Sequence, residues 1–361
     1  MIIGHGGNKL QLATDLGCHV DDIIDMSSNL NPLGPPESIE AFIRQNLYRI
    51  RSLPEPDARA MKEGFAGFHG IQPDNVVAGN GTTWFIYTLP RALGAKRAVI
   101  LGPTYSDYRD ACQMHGVPYD HFFLTPDNGF SLDADAFSMH LHRADMVLIC
   151  NPNNPTGNLI QKETLVRLLQ QHPDTVFVVD ESYLPFADGA DQVSLVSETG
   201  FGNLIVLSSM SKIFRIPGLR TGFLSGPAAF CRKVMAYYQP WSVNALAQAV
   251  ITDIFKHPEQ ILSFYKETRD YIRVEKQHFL DSLAGINGLS CFDSSAYFIL
   301  ARLTRPRSSG DFCKEIGQHR ILIRDCANFQ GLSDEFVRFS LKQRPDNQRL
   351  ARLVKETLCH V

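Results

Sequence analysis

The sequence predicts an α/β fold, with a mostly parallel sheet in a larger domain and a smaller α+β domain beside it. Short apolar segments of strand length recur between about residues 76 and 226, and segments with helical spacing separate most of them. Several apolar segments are rich in β-branched residues and lack polar alternation, as expected of strands covered on both faces. After about residue 250 the pattern changes to long amphipathic segments, which indicates a second architecture.

Six apolar segments are the predicted strands of the larger domain. They are residues 76–78, 98–101, 146–150, 176–179, 204–207 and 222–224. Residues 162–171 are typical of the intervening helices, because their leucines and valine recur at helical spacing. This alternation of strands and helices favours a parallel sheet.

The smaller domain is predicted from the C-terminal third of the chain. Residues 251–283 have the pattern of amphipathic helices, and residues 297–301 and 336–341 are short strand candidates. We expect the first forty residues to join this domain in space. The predicted domains are residues 40–250 for the larger one, and residues 1–39 with 251–361 for the smaller one.

Composition excludes several classes of partner. The 361 residues are 44% hydrophobic and 20% charged, so the chain can bury a substantial core. Lys and Arg total 35 against 38 for Asp and Glu, without long runs of like charge, which argues against nucleic acid. The chain lacks the pattern of a signal peptide or membrane span, so we expect a cytoplasmic protein without a membrane partner. The eight cysteines are scattered without a CxxC, so we expect no metal site.

Polar and glycine-rich segments follow five of the predicted strands. In open α/β sheets the ligand lies beyond the carboxyl ends of the strands, so these segments are expected to meet at one site. They are residues 79–83 (Gly-Asn-Gly-Thr-Thr), 102–105 (Gly-Pro-Thr-Tyr), 151–157 (Asn-Pro-Asn-Asn-Pro-Thr-Gly), 180–183 (Asp-Glu-Ser-Tyr) and 208–212 (Ser-Ser-Met-Ser-Lys).

The first of these segments can bind a phosphate. Its glycines let backbone N–H groups and the N-terminus of a following helix face an anion, and its threonines add hydroxyl donors. Ser209 and Arg220 can reach the same phosphate. An ordinary strand-to-helix turn has similar glycines, and the segment is not the GxGxxG of a dinucleotide fold.

Asp180 and Lys212 are the residues that point to a cofactor. Asp180 follows a fully apolar strand, where an ionised carboxylate needs a cationic partner such as a protonated pyridine nitrogen. Lys212 lies among small hydroxyl residues near Arg220, surroundings that suit a nucleophilic amine. Taken singly, an aspartate at a strand end is more often a cap, and a lysine is more often a solvated surface residue.

Three further residues can contact a flat aromatic ligand. Tyr105 can stack on its ring, and Asn154 and Tyr183 can form hydrogen bonds with a phenolic oxygen. Each of them alone can equally be a core aromatic or a turn residue. Their joint order and spacing along the chain indicate a ligand site.

In that order and spacing the chain resembles the fold-type I aminotransferases, the pyridoxal-phosphate enzymes of the aspartate aminotransferase superfamily. The resemblance covers nearly the whole chain and implies a seven-stranded sheet and a homodimer. It implies three catalytic residues: Lys212 as the Schiff-base lysine, Asp180 on the pyridine nitrogen and Tyr183 on the ring oxygen. The implied cofactor-binding residues are Gly81, Thr82, Thr83, Tyr105, Asn154, Asp180, Tyr183, Ser209, Ser211, Lys212 and Arg220.

Within the superfamily the chain is most similar to the threonine-phosphate decarboxylases of cobalamin biosynthesis, relatives of the histidinol-phosphate aminotransferases. The similar stretches are residues 5–8 (His-Gly-Gly-Asn), 29–34, 216–220, 239–246 and 321–328. The resemblance implies decarboxylation of O-phospho-L-threonine to an aminopropanol phosphate. The implied substrate-binding residues are His5, Gly6, Asn8, Asn29, Asn154, Arg324 and Arg338, because guanidinium groups bind carboxylate or phosphate bidentately.

Three positions depart from the family pattern. Leu53 stands where relatives commonly carry a tyrosine that reaches the neighbouring subunit's cofactor phosphate. Trp84 replaces an acidic residue, and Ala296 replaces an asparagine. The changes at Trp84 and Ala296 leave O-phospho-L-serine open as the preferred substrate, since one methyl group discriminates by only about 1–3 kcal/mol.

Two other functions are weighed against decarboxylation. A histidinol-phosphate-type aminotransferase would require 2-oxoglutarate. A ligand sensor built on a pyridoxal-phosphate fold would carry an added effector domain, whereas the motifs here begin almost at residue 1 and include Lys212 and Asp180.

Overall fold

The structure is a computed structural model and describes residues 6–304 and 307–359. The strands are β1 Ile24–Asp25, β2 Val76–Gly79, β3 Ala98–Gly102, β4 Tyr119–Phe123, β5 Met146–Cys150, β6 Val176–Asp180, β7 Leu204–Ser209, β8 Gly222–Ser225, β9 Leu289–Cys291, β10 Phe298–Leu303, β11 Ile321–Leu322, β12 Arg324–Asp325 and β13 Phe336–Ser340. The α-helices are α1 Lys9–Leu16, α2 Glu37–Asn46, α3 Arg59–His69, α4 Gly81–Leu93, α5 Asp107–Met114, α6 Ala134–His140, α7 Lys162–Gln171, α8 Ala190–Val193, α9 Met210–Ile213, α10 Ala228–Met235, α11 Ala245–Phe255, α12 Pro258–Leu283, α13 Ser309–Gln318 and α14 Arg344–Cys359.

Seven strands form the larger sheet in the order β2-β8-β7-β6-β5-β3-β4. Strand β8 runs antiparallel to both of its neighbours, and the other pairings are parallel. The central strands are almost fully buried because helices cover both faces of the sheet. All six strands predicted from their apolar segments are present, and the expected seven-stranded, mostly parallel sheet is confirmed.

The seventh strand, β4, was not predicted, because its sequence is not an apolar segment. Its sequence is Tyr-Asp-His-Phe-Phe, and its residues are half-buried or exposed. It pairs only with β3, at the edge of the sheet. An edge strand has one face and one side in water, so it tolerates Asp120 and His121 where a central strand would not.

The remaining strands belong to two small sheets. Strands β12-β13-β10-β9 are antiparallel, and β1 pairs with β11 in parallel. The predicted strands at 297–301 and 336–341 correspond to β10 and β13. The predicted helical segment from residue 251 is divided between α11 and α12, because Pro258 occupies the first turn of a new helix.

Two main hydrophobic cores accompany these sheets. One surrounds the seven-stranded sheet, and the other lies between the four-stranded sheet and helices α12, α13 and α14. Met26, next to β1, belongs to the second core. The exact domain boundaries stay a prediction. Among the described residues, no helix combines the length and apolar character needed to cross a bilayer.

Candidate active site

A cavity of about 310 Å³ lies where the carboxyl ends of the larger sheet face the four-stranded sheet. Parallel strands bring their carboxyl ends to one edge, so segments far apart in the chain meet there. The predicted site residues that line the cavity are Gly6, Asn29, Tyr105, Asn154, Tyr183, Lys212, Arg324 and Arg338.

Asp180 lies at the end of β6, buried in apolar surroundings. Its Oδ2 accepts a hydrogen bond of 2.9 Å from the Tyr108 hydroxyl, and its Oδ1 accepts one of 2.9 Å from the Ser182 backbone N–H. Burial raises the pKa of Asp180, while these hydrogen bonds and the charge of Lys212 lower it. A buried carboxylate of this kind is stabilised by a cation in contact, so it fits the protonated ring nitrogen of pyridoxal phosphate.

Lys212 and Tyr183 face each other across the cavity. Lys212 is in the short helix α9, directly after β7, and its Nζ lies 5.8 Å from the centre of the Tyr183 ring. The Tyr183 hydroxyl accepts a hydrogen bond of 3.3 Å from the Asn29 side-chain amide. The phenolic proton of Tyr183 can therefore be directed at a ligand oxygen while Asn29 holds the ring in place.

Arg338 joins the two sheets at the back of the cavity. Its side chain is only 3% exposed, and its Nη1 donates to Oδ1 of Asn154. Its Nη2 donates to the backbone oxygen of Ser27 over 2.6 Å. Since Asn154 uses its oxygen here, the N–H end of its amide is what it can offer to a phenolate oxygen.

A second guanidinium group lines the same cavity. Arg324 Nη2 donates to Oδ1 of Asn328 over 2.7 Å, and the guanidinium carbon lies 5.1 Å from the centre of the Phe329 ring. Burial lowers the pKa of Arg324, and the charge of Arg338 lowers it further. Two guanidinium groups that repel each other in one cavity favour a ligand with anionic groups.

The predicted phosphate-binding residues lie together at the N-terminus of α4. A Cβ atom on Gly81 would lie 2.7 Å from Nη2 of Arg220, and one on Gly222 would lie 2.6 Å from the backbone nitrogen of Thr82. Thr83 follows in the same turn, and Ser209 ends the adjacent β7. A thirteen-residue helix whose N-terminus meets a guanidinium group fits the phosphate of the cofactor.

Two residues predicted to bind ligands, Asn8 and Ser211, make other contacts in the structure. Asn8 is exposed and caps α1, where its Oδ1 accepts from the backbone N–H of Gln11 over 3.4 Å. The hydroxyl of Ser211 is buried and donates to the backbone oxygen of Thr221 over 3.2 Å. Its contact in the structure is thus with the protein backbone, and a cofactor contact for it stays a prediction. His5 lies outside the described residues.

Tyr108 is the main site residue that the sequence did not reveal. It lies in α5 and reaches Asp180, which is 72 positions away in the chain. Its place three residues after Tyr105 does not indicate the approach to Asp180. Asn328 and Phe329 were likewise not singled out, although Asn328 belongs to the stretch of residues 321–328 that supported the family resemblance.

The three departures from the family pattern occupy different surroundings. Leu53 is 77% exposed. Trp84 is half-buried, and its ring packs edge-on against Phe85 and Tyr238. Ala296 is fully buried next to β10. Only Trp84, in the first turns of α4, adjoins the proposed phosphate site.

Known proteins are similar to this chain over most of its length. Residues 21–356 match the family described as Aminotransferase class I and II. The threonine-phosphate decarboxylase of Salmonella typhimurium is 30% identical, over 98% of this chain and 96% of that protein. The adenosylcobalamin biosynthesis bifunctional protein CobDQ of Leptospira interrogans is 29% identical over 96% of this chain, which spans only 40% of that protein's length.

Two solved structures are close in fold. The L-threonine-O-3-phosphate decarboxylase from Porphyromonas gingivalis has a TM-score of 0.84 at 29% identity, over 94% of this chain and 100% of that chain. The histidinol-phosphate aminotransferase from Clostridium acetobutylicum has a TM-score of 0.85 at 28% identity, over the same shares of the two chains. The expected resemblance, fold class and cofactor are confirmed. The chain therefore belongs to the aminotransferase class I and II family, whose enzymes use pyridoxal 5'-phosphate.

Proposed function

We propose that this enzyme decarboxylates O-phospho-L-threonine to (R)-1-aminopropan-2-yl phosphate and carbon dioxide, as a step of cobalamin biosynthesis. The observation that carries the proposal is the presence of Arg324 and Arg338 in the cavity that also contains Lys212. A substrate with a carboxylate and a phosphate monoester needs two such cations near the reacting amine. The names of the relatives from Salmonella typhimurium and Porphyromonas gingivalis support this substrate.

The residues of the chain have distinct roles in this proposal. Pyridoxal phosphate, when bound, accepts the electron pair of the bond that breaks at the substrate's α-carbon. Asp180 would keep the ring nitrogen of the cofactor protonated, while Asn154 and Tyr183 would hold its ring oxygen. Lys212 would supply the amine that holds the cofactor, and its Nζ would be the group that delivers a proton to the substrate.

The two guanidinium groups decide which bond breaks. With the cofactor bound, the orientation in which the substrate's carboxylate is held would select decarboxylation or amino transfer. Arg338 is buried and held by Asn154 and Ser27, whereas Arg324 is half-buried and held by Asn328. This rigid pair can fix a substrate that carries an anion at each end.

A histidinol-phosphate aminotransferase is the second candidate. The observation that favours it is the TM-score of 0.85 with the enzyme from Clostridium acetobutylicum. Its substrate also carries a phosphate monoester, but it transfers its amino group to 2-oxoglutarate instead of losing carbon dioxide. O-phospho-L-serine is a further substrate for the decarboxylation that we propose, at lower efficiency, because it lacks one methyl group.

The test offers the holoenzyme O-phospho-L-threonine, O-phospho-L-serine and histidinol phosphate separately, with and without 2-oxoglutarate. We expect carbon dioxide from O-phospho-L-threonine without 2-oxoglutarate, and none from a Lys212→Ala variant. Formation of a keto product that depends on 2-oxoglutarate, without release of carbon dioxide, would refute the decarboxylation.

A further inference from the structure

A turn of residues 25–29 forms one wall of the cavity, and we call it the N-terminal turn. Ser27, Ser28 and Asn29 line the cavity from this turn. The Asp25 carboxylate closes it: Oδ1 accepts hydrogen bonds from the Ser27 backbone N–H at 2.9 Å, the Ser27 hydroxyl at 2.7 Å and the Ser28 backbone N–H at 3.1 Å. The wall is thus a fixed structure and not a loose loop.

Alternate residues of β13 and its continuation hold this turn from behind. Arg338 donates to the backbone oxygen of Ser27 over 2.6 Å. The Nζ of Lys342 donates to the backbone oxygen of Ser28 over 3.2 Å. Between them, the Ser340 hydroxyl donates to Oδ1 of Asn29 over 2.5 Å. Residues two apart in an extended chain share a face, so one row of side chains supports the whole wall.

Lys342 is the member of this row that the catalytic roles do not explain. Its side chain is only 9% exposed, although a lysine is rarely buried without a partner. Its backbone N–H is held by Asn347, and its backbone oxygen accepts from the Tyr271 hydroxyl over 3.3 Å. These contacts fix the backbone of Lys342, and its ammonium group donates to the Ser28 backbone oxygen.

The charged groups around Lys342 come from every side. Asp25 faces it from the N-terminal turn, Arg215 from the segment after α9, Arg338 from β13 and Asp346 from α14. Burial lowers the pKa of Lys342 to about 8, and the two arginines lower it while the two aspartates raise it. Desolvation and the neighbouring arginines disfavour the charged form of Lys342, and an anion in the cavity would favour it.

We propose that Lys342 is a positioning and specificity-determining residue. Its ammonium group holds the N-terminal turn through the Ser28 backbone oxygen. The same group adds positive charge that selects a doubly ionised phosphate monoester. The proposal rests on the phosphate monoester that both candidate reactions under the proposed function share. A dianion gains twice the Coulomb energy of a monoanion from the same charge, so the selection acts on phosphate more than on carboxylate.

Three variants separate the hydrogen bond from the charge. Lys342→Gln keeps a donor for the Ser28 oxygen and removes the charge, Lys342→Met removes both, and Lys342→Arg keeps both. Lys355→Gln is the matched control, because it removes a lysine from the exposed face of α14 with the same change in net charge. Each holoenzyme is titrated by calorimetry with (R)-1-aminopropan-2-yl phosphate, which carries the phosphate monoester but no carboxylate to lose, with histidinol phosphate and with L-threonine, from pH 7 to pH 10.

For whichever phosphorylated ligand the wild-type protein binds, we expect Lys342→Gln to weaken binding about tenfold at pH 7, the scale of one charge acting through a partly buried site. L-threonine binding should change by less than about twofold, since it carries no phosphate. Lys342→Arg should restore the affinity. As the pH rises to 10, the wild-type affinity should fall to that of Lys342→Gln, whereas Lys342→Arg should keep its affinity, because arginine stays protonated.

Equal phosphate affinity of Lys342→Gln and wild type at pH 7 would overturn the proposal, as would a parallel fall of wild type and Lys342→Arg with pH. A purely structural lysine would instead lower the melting temperature of Lys342→Gln and leave the ratio of phosphate to L-threonine affinity unchanged. Release of carbon dioxide by the wild-type protein is measured in parallel. Its absence would reject the proposed reaction and leave the charge dependence of phosphate binding to decide on Lys342.

Discussion

Replacing Tyr108 by phenylalanine removes one hydrogen bond from the buried carboxylate of Asp180. The two side chains are 1% and 5% exposed, so water cannot replace the lost donor, which lies 2.9 Å from Oδ2. A hydrogen bond to a charged group contributes about 1.5–3 kcal/mol, and its loss should raise the pKa of the buried Asp180 carboxyl further. The ionised carboxylate that a protonated ring nitrogen needs becomes harder to maintain. We expect the affinity for pyridoxal phosphate to fall by about tenfold to a hundredfold.

The measurement is a titration of the stripped Tyr108→Phe protein with pyridoxal phosphate, followed by the absorbance of the bound cofactor. Tyr119→Phe is the control, because the hydroxyl of Tyr119 accepts a hydrogen bond from Gln113 over 2.9 Å on the far strand β4. An affinity of Tyr108→Phe equal to that of the control would show that the hydrogen bond does not support the charge on Asp180.

Two further predictions concern the phosphate site and the pH dependence of stability. Gly222→Ala should weaken cofactor binding at least about tenfold in the same titration, because its Cβ would meet the Thr82 backbone nitrogen at 2.6 Å; Gly218→Ala, with nothing within 4 Å, should bind normally, and equal binding by both variants would contradict this. Burial raises the pKa of Glu181 from 4.5 to about 7. Protonated Glu181 therefore makes its full contribution to the free energy of unfolding below pH 4.5, and this contribution falls by about 3 kcal/mol up to pH 7. Urea unfolding should show that Glu181→Gln loses this dependence, and an unchanged pH profile would refute it.

The sequence predicted the central part of the fold because the same residues both form strands and fill the core. Met146 to Cys150 and Leu204 to Leu207 are apolar over their whole length, and only a strand buried on both faces requires that. Strand β4 could not be found in this way, because an edge strand mixes polar and apolar residues. The strand ends then predicted the site, since parallel strands bring their carboxyl ends together.

The contacts that the sequence did not reveal join residues from different elements. Tyr108 reaches Asp180 through the packing of α5 on the sheet, and no spacing in the chain encodes that approach. The support of the N-terminal turn by Lys342 connects residues 314 positions apart. Such contacts depend on how complete elements pack, which local patterns of residue type do not describe.

The support of the N-terminal turn by β13 has a consequence for the order in which the enzyme matures. Residues 27 and 29 of this wall are bonded to residues 338 and 340, so its hydrogen bonds are complete only when sequence from the other end of the chain has arrived. A ribosome must therefore synthesise nearly all of the described chain before a ligand can find a finished pocket. Until then, an N-terminal fragment lacks Arg338 and Ser340, and with them the hydrogen bonds that hold Ser27 and Asn29.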